Sequence, residues 1–308
     1  MNKVRYDLKV DVVHKRGITG RNIAVAVLDT GIFPHDDFCK PYYRIGGFID
    51  FVNGYNKPYD DNGHGTHVCG IIGGNGYSMY EKYRGMAPGC IIIAEKILDK
   101  YGVGDVESVV EALKWTIKYK DVYNIRIVNL SVGTYGIDKE DVKILIRWVE
   151  KAWDSGLIVL TAAGNKGPRP MSITAPGISK KIITVGTCEK NILINDNKKN
   201  HYYSGCGPTK ECIVKPEVVA PGVNITSCGN QKNEYVTKSG TSMATPTVAG
   251  ALALVLEWGE RKGKARISNK DIKIGLLETS KDLGRNRNEQ GWGKIDLLKL
   301  LTYFDNVR

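Results

Sequence analysis

No CxxC pair occurs in the 308 residues, and the seven cysteines, at 39, 69, 90, 188, 206, 212 and 228, are odd in number. That pattern gives little support to a disulfide framework and reads as free thiols in a reducing compartment. Zinc lacks its ligands too. Cys206 and Cys212 approach one another in sequence, but no second ligand pair stands beside them. No run reaches the roughly 20 apolar residues of a membrane helix, and "MNKVRYDLKVDVV" at the N-terminus lacks a signal peptide's apolar core and cleavage site. No low-complexity linker divides the chain, so one domain over 1–308 is expected, with no membrane partner. The net charge of +11 is spread out rather than gathered in a basic tract, so no specific nucleic-acid partner is indicated.

What the chain does contain is an alternation of short apolar runs and longer mixed segments. "NIAVAVLDTG", "CIIIAEKIL", "IRIVNLSVG", "LIVLTAAGN" and "KIITVGTC" read as buried strands. Between them, "GDVESVVEALKWTIKY" sets Val106, Val109, Val110, Leu113 and Ile117 at helical spacing, and "DKEDVKILIRWVEKAWDSG" reads as a second helix stopped near Gly156. "ALALVLEW" continues a helix after Ser242, and "GWGKIDLLKLLTYF" closes the chain with another. "EKNILINDNKKNHYYSG" reads as a surface excursion, while Pro216 and Pro221 interrupt the extended "IVKPEVVAPGVNITSC". Fully apolar strands separated by helices predict an α/β fold in three layers, with a mainly parallel sheet covered on both faces.

Loops at the carboxyl ends of such strands are where open α/β sheets act on ligands. Asp29 stands at one strand end. His64 sits among glycines before an apolar helix, and Ser242 lies among small residues at the head of another. A serine hydroxyl needs a base to take its proton, and imidazole suits the task near neutral pH. The imidazole in turn needs a carboxylate that fixes its tautomer. A metal reading for His64 and His67 lacks the glutamate of HExxH and a third ligand. Taken singly, each residue is equally at home as a cap, a turn or a buried polar group. Together they make a candidate nucleophile, base and orienting acid.

"VAVLDTGI", "NGHGTHVCG", "LTAAGN" and "SGTSMATPTVAG", in that order, resemble the four signature segments of the subtilisin-like serine proteases. The resemblance implies the subtilisin-like α/β fold and peptide-bond hydrolysis, with Asp29, His64 and Ser242 as the triad and Asn165 as an oxyanion-hole amide. It also implies a substrate pocket with Ser131, Val132 and Gly133 on one wall and Ala162, Ala163 and Gly164 on the other. Anchoring on Pro176 and Gly177 puts Thr174 at the pocket floor, where many relatives have glycine. A threonine there shortens the pocket against large aromatic side chains. The implied partner is an extended polypeptide substrate; a specialised esterase or amidase and a non-catalytic peptide-binding relative are the alternatives.

No cofactor is implied for the chemistry. A structural calcium is implied by the resemblance, with Asn2, Asp37, and Asn75 and Glu81 of the loop "GGNGYSMYEKYRG" as its ligands. Only 28 residues precede Asp29. That lead is too short for a folded propeptide, so the expectation is a cytoplasmic enzyme, or a secreted one from which targeting and propeptide segments have been removed.

Overall fold

Val, Ile and Ala dominate the strand segments, and the inner strands are buried along their whole length, as a sheet covered on both faces requires. The computed structural model describes residues 1–131, 133, 138–189, 204–263 and 266–306. The chain opens with two short helices, α1 (Asn2–Asp7) and α2 (Val10–Lys15), and enters the sheet at β1 (Ala24–Asp29). It then runs through α3 (Asp36–Cys39), β2 (Ile45–Asp50), α4 (His64–Gly73), β3 (Ile91–Lys96), α5 (Val106–Tyr119), β4 (Ile125–Leu130), α6 (Lys139–Asp154), β5 (Ile158–Ala162), β6 (Ile183–Thr187) and β7 (Val218–Ala220). A hairpin of β8 (Ile225–Cys228) and β9 (Tyr235–Lys238) precedes α7 (Thr241–Arg261), α8 (Asn269–Thr279), α9 (Arg287–Gln290) and α10 (Leu297–Asn306).

The order β2-β3-β1-β4-β5-β6-β7 is parallel at every step. Strand order therefore reverses about β1, whose carboxyl end opens a crevice between diverging connections. Helices α4 and α7 pack on one another and on the sheet, while α5 and α6 form a second pair, giving three layers. Aspartates start this second pair: Asp105 accepts from Ser108 N at 2.6 Å, and Asp138 from Asp141 N at 2.8 Å. One apolar core runs from Met1 to Phe304.

The three-layer α/β fold matches the sequence reading. Helices α5 and α6 fall inside the two periodic segments, and β7 and β8 are the two pieces into which the prolines divide the late extended stretch. The surface excursion lies almost wholly outside the described residues. No described helix is long and apolar enough to cross a membrane.

Candidate active site

Asp29 ends β1 with none of its surface exposed. Its Oδ1 accepts from Thr30 N at 2.8 Å and from His64 Nδ1 at 2.7 Å; Oδ2 is buried with no partner among the described residues. Because the carboxylate takes a proton-bearing Nδ1, the lone pair of His64 is left on Nε2. Burial opposes the charged form of His64, but the charge and hydrogen bond of Asp29 outweigh it. The imidazole is raised above its ordinary 6.5.

His64 is the first residue of α4, whose N-cap, Gly63, has no capping side chain and a left-handed φ of 92°. Asp60 takes over the capping. Its two oxygens accept from Asn62 N, Gly63 N, Thr66 N, Thr66 Oγ1 and Thr30 Oγ1 at 2.6–3.0 Å. Burial would raise this carboxyl, but those bonds hold it below the usual carboxylate range. Thr30 completes the link by accepting Gly65 N at 2.8 Å, and the buried Lys96 ammonium donates to Thr30 O and Asp61, at 2.8 and 2.7 Å. Gly65 is what lets α4 come so near: a Cβ there would lie 2.2 Å from Gly31 O. His67, one turn on, is fully buried with Nε2 held by Ile225 O and Val236 O, and burial drives its pKa down to about 3. It is a neutral strut between α4 and the hairpin.

Ser242 is the second residue of α7 and is partly exposed. Its N–H lies in the first turn, where backbone donors have no intrahelical acceptor. Pro246 stands four residues later and has no N–H to give to the Ser242 carbonyl. Three bonds anchor the helix start to the sheet edge. Gly240 N donates to Gly222 O, just past β7, at 2.8 Å, and Thr241 donates through both N and Oγ1 to Asn165 Oδ1, just past β5, at 3.0 Å. With its oxygen held twice, the Asn165 amide is oriented and its Nδ2 is turned to other acceptors.

The residues expected to line the pocket lie at and after β4 and β5. Ala162 ends β5, Ala163 N donates to Val185 O, and Gly164 carries a φ of 90°. Ser131 is buried and accepts from Asn129 at 2.7 Å; Val132 lies outside the described residues. Thr174 fills the space between the walls: a Cβ on either Gly133 or Gly164 would lie 2.6 Å from its Oγ1. It is 8% exposed and therefore does not face solvent.

The four residues expected to hold calcium do not form a cage for it. Asn2 is exposed on α1, and Glu81 pairs with Arg84 at 3.1 Å. Asn75 spends its side chain on Lys40 O, just past α3, to which it donates, and on Tyr77 N, from which it accepts. Asp37 is buried, and the polar groups on its carboxylate are N–H, O–H and S–H donors rather than the carbonyl and carboxylate oxygens that calcium takes. Sequence reasoning missed Asp60 and the orienting role of Thr241. The signal for Asp60 was an aspartate three residues before a glycine N-cap.

An Asp–His pair, a helix-borne serine and a fixed amide along the carboxyl edge of one doubly wound parallel sheet define the class of α/β protein this is. The chain belongs to the subtilase family, whose profile matches residues 20–293. It is 42% identical over 259 residues to the serine protease AprX of Bacillus subtilis (strain 168), a match covering 78% of this chain and 58% of that protein. The minor extracellular protease Epr of the same strain is 36% identical, over 93% of this chain and 39% of its own length. This chain thus spans about half the length of those two relatives. Subtilisin Savinase of Lederbergia lenta is 34% identical over 94% of both chains. The solved structure of sphericase superposes with a TM-score of 0.72 at 28% identity, covering 90% of this chain and 91% of that one.

The close approach at Gly65 carries a prediction. Gly65→Ala is expected to push α4 off β1 and lengthen the His64–Asp29 contact, lowering kcat at least tenfold while the folded circular-dichroism spectrum is retained. An alanine variant with unchanged kcat contradicts this account of how His64 is placed.

Proposed function

We propose that the chain is a serine endopeptidase acting on extended polypeptides, with Asp29, His64, Ser242 and Asn165 as its catalytic residues. The observation that carries the reading is the 2.7 Å bond from His64 Nδ1 to a buried Asp29. It leaves Nε2 as the basic atom, and Ser242, the second residue of α7, is the hydroxyl we assign to it. His64 Nε2 takes the proton of Ser242 Oγ as the oxygen attacks the scissile carbonyl. Asp29 stabilises the imidazolium that forms. The oxyanion is met by Asn165 Nδ2 and the Ser242 N–H, both fixed before the reaction, so little reorganisation is needed as charge develops. His64 then returns its proton to the leaving amine. The acyl-enzyme is cleared by a water that the same base activates.

Substrate is held as a strand. Segments such as Ser131–Gly133 lend backbone hydrogen bonds with little sequence demand, and specificity comes from the pocket. Thr174 between the Gly133 and Gly164 walls leaves room for a small or medium side chain at the residue before the cleaved bond. Seven unpaired cysteines support a reducing compartment as the site of action, and buried Cys69, Cys90 and Cys228 have thiols pushed up by burial, which keeps them inert.

Active-site titration with a fluorophosphonate probe tests the reading: stoichiometric labelling is expected, and none in Ser242→Ala. Peptidase kcat should fall by about 10⁶ in Ser242→Ala and by about 10²–10³ in Asn165→Ala. Both magnitudes come from subtilisin, a member of this family. A folded, unlabelled wild type sinks the proposal. For the pocket, Thr174→Gly should raise kcat/KM for Phe and Tyr relative to Ala by roughly 10–100-fold, the counterpart of about 1–3 kcal/mol of relieved overpacking. An unchanged ratio in peptide-mixture profiling removes Thr174 from the pocket floor.

A further inference from the structure

The Asp37 carboxylate is buried at the junction of three segments and accepts hydrogen bonds from N–H, O–H and S–H donors, while His35 Nδ1 lies 3.6 Å from its Oδ1. Gly76 N reaches Oδ2 and Ser78 N reaches Oδ1, both at 3.1 Å. Tyr235 OH lies 2.9 Å from Oδ1 and 2.8 Å from Oδ2, and Cys228 Sγ lies 3.6 Å from Oδ2. The amides come from the loop after α4, the thiol from β8 and the phenol from β9. The Arg44 guanidinium is tied to the Asp37 main-chain carbonyl, leaving the carboxylate to the neutral donors.

His35 completes the cluster without adding charge. Asp37 N can only donate, so His35 Nδ1 accepts it, at 3.1 Å; Nε2 then carries the proton and donates to Glu234 O at 3.1 Å. Burial lowers the pKa of His35, consistent with a neutral ring. The ligand atoms of His35, Asp37 and Cys228 lie within 4.8 Å of one another, close enough to suggest a thiophilic metal. Their hydrogen bonds argue otherwise. The Nδ1 lone pair is already used by an amide, the thiol proton points to the carboxylate, and any cation between them meets two amide hydrogens. Calcium wants six to eight oxygens at about 2.3–2.6 Å, whereas among the described residues the hydrogen-bond partners of the Asp37 carboxylate are two amides, a thiol and one phenol oxygen.

We propose that this chain holds the Asp37 junction with a metal-free hydrogen-bond hub, Asp37 accepting from Tyr235, Cys228, Gly76 and Ser78, where the family resemblance implies a calcium ion. The hub braces the helix that carries His64. It fixes the loop leaving the end of α4, and it fixes the β8–β9 hairpin, whose Ile225 and Val236 carbonyls hold His67 and whose Ser227 Oγ donates to His67 O at 2.9 Å. The inference concerns stability and stands apart from the peptidase reading.

Thermal unfolding of Ser242→Ala protein, which removes self-digestion, tests it in excess EDTA, in millimolar CaCl2 and with equimolar ZnCl2. The expected Tm is the same in all three within 1 °C, or shifts by an amount that Asp37→Asn leaves intact. Tyr235→Phe in the same background should lower Tm by about 3–6 °C, equally in EDTA and calcium, for one hydrogen bond to a buried charge. A calcium or zinc stabilisation that Asp37→Asn abolishes overturns the proposal. If Asp37→Asn does not fold, Tyr235→Phe still decides: an unchanged Tm in EDTA overturns the hub.

Discussion

The bond between His64 Nδ1 and a buried carboxylate oxygen of Asp29 is the interaction on which the rest of the site depends. It joins the end of β1 to the first residue of α4, two elements that meet only because the strand order reverses there and Gly65 has no side chain. Asp60 makes the junction rigid. By capping α4 from outside and bonding Thr30 beside Asp29, one carboxylate sets both partners of the pair. The Asp29–His64 pair thus rests on a second carboxylate, Asp60, that bonds to neither ring nitrogen of His64.

The same logic governs the other half of the site. Thr241 holds the Asn165 oxygen through two bonds, so the amide proposed to meet the oxyanion is locked to the helix that carries Ser242. Motion of α7 therefore moves Ser242 and Asn165 together. Far from the sheet edge, the hub at Asp37 steadies the other end of α4, so the helix of His64 is tethered at both termini.

Much of this was legible in the sequence. Apolar strands and helical periodicity gave the layers, because burial on both faces and on one face leave different residue patterns. The candidate site came from the resemblance of four segments to a family, and the structure adds the bond that joins two of its residues, Asp29 and His64. What escaped detection depends on contacts between distant segments. Edge strand β2 is only partly buried and carries two glycines, and β9 has a short polar face, so neither shows a strand pattern. Asp37 read as a metal ligand through the family resemblance, and its partners Cys228 and Tyr235, 191 and 198 residues away, reveal themselves as donors only once the hairpin is folded.

The account stands on Asp29 acting electrostatically on His64, and the protonation of that one imidazole measures it. Following the His64 ring by NMR through pH in the Ser242→Ala protein should give a midpoint above 6.5, and a lower midpoint when Asp29→Asn is added, because the carboxylate charge that favours imidazolium is gone while burial still opposes it. A wild-type ring titrating below 6.5, or a midpoint that Asp29→Asn leaves in place, would contradict the pairing on which the site is built.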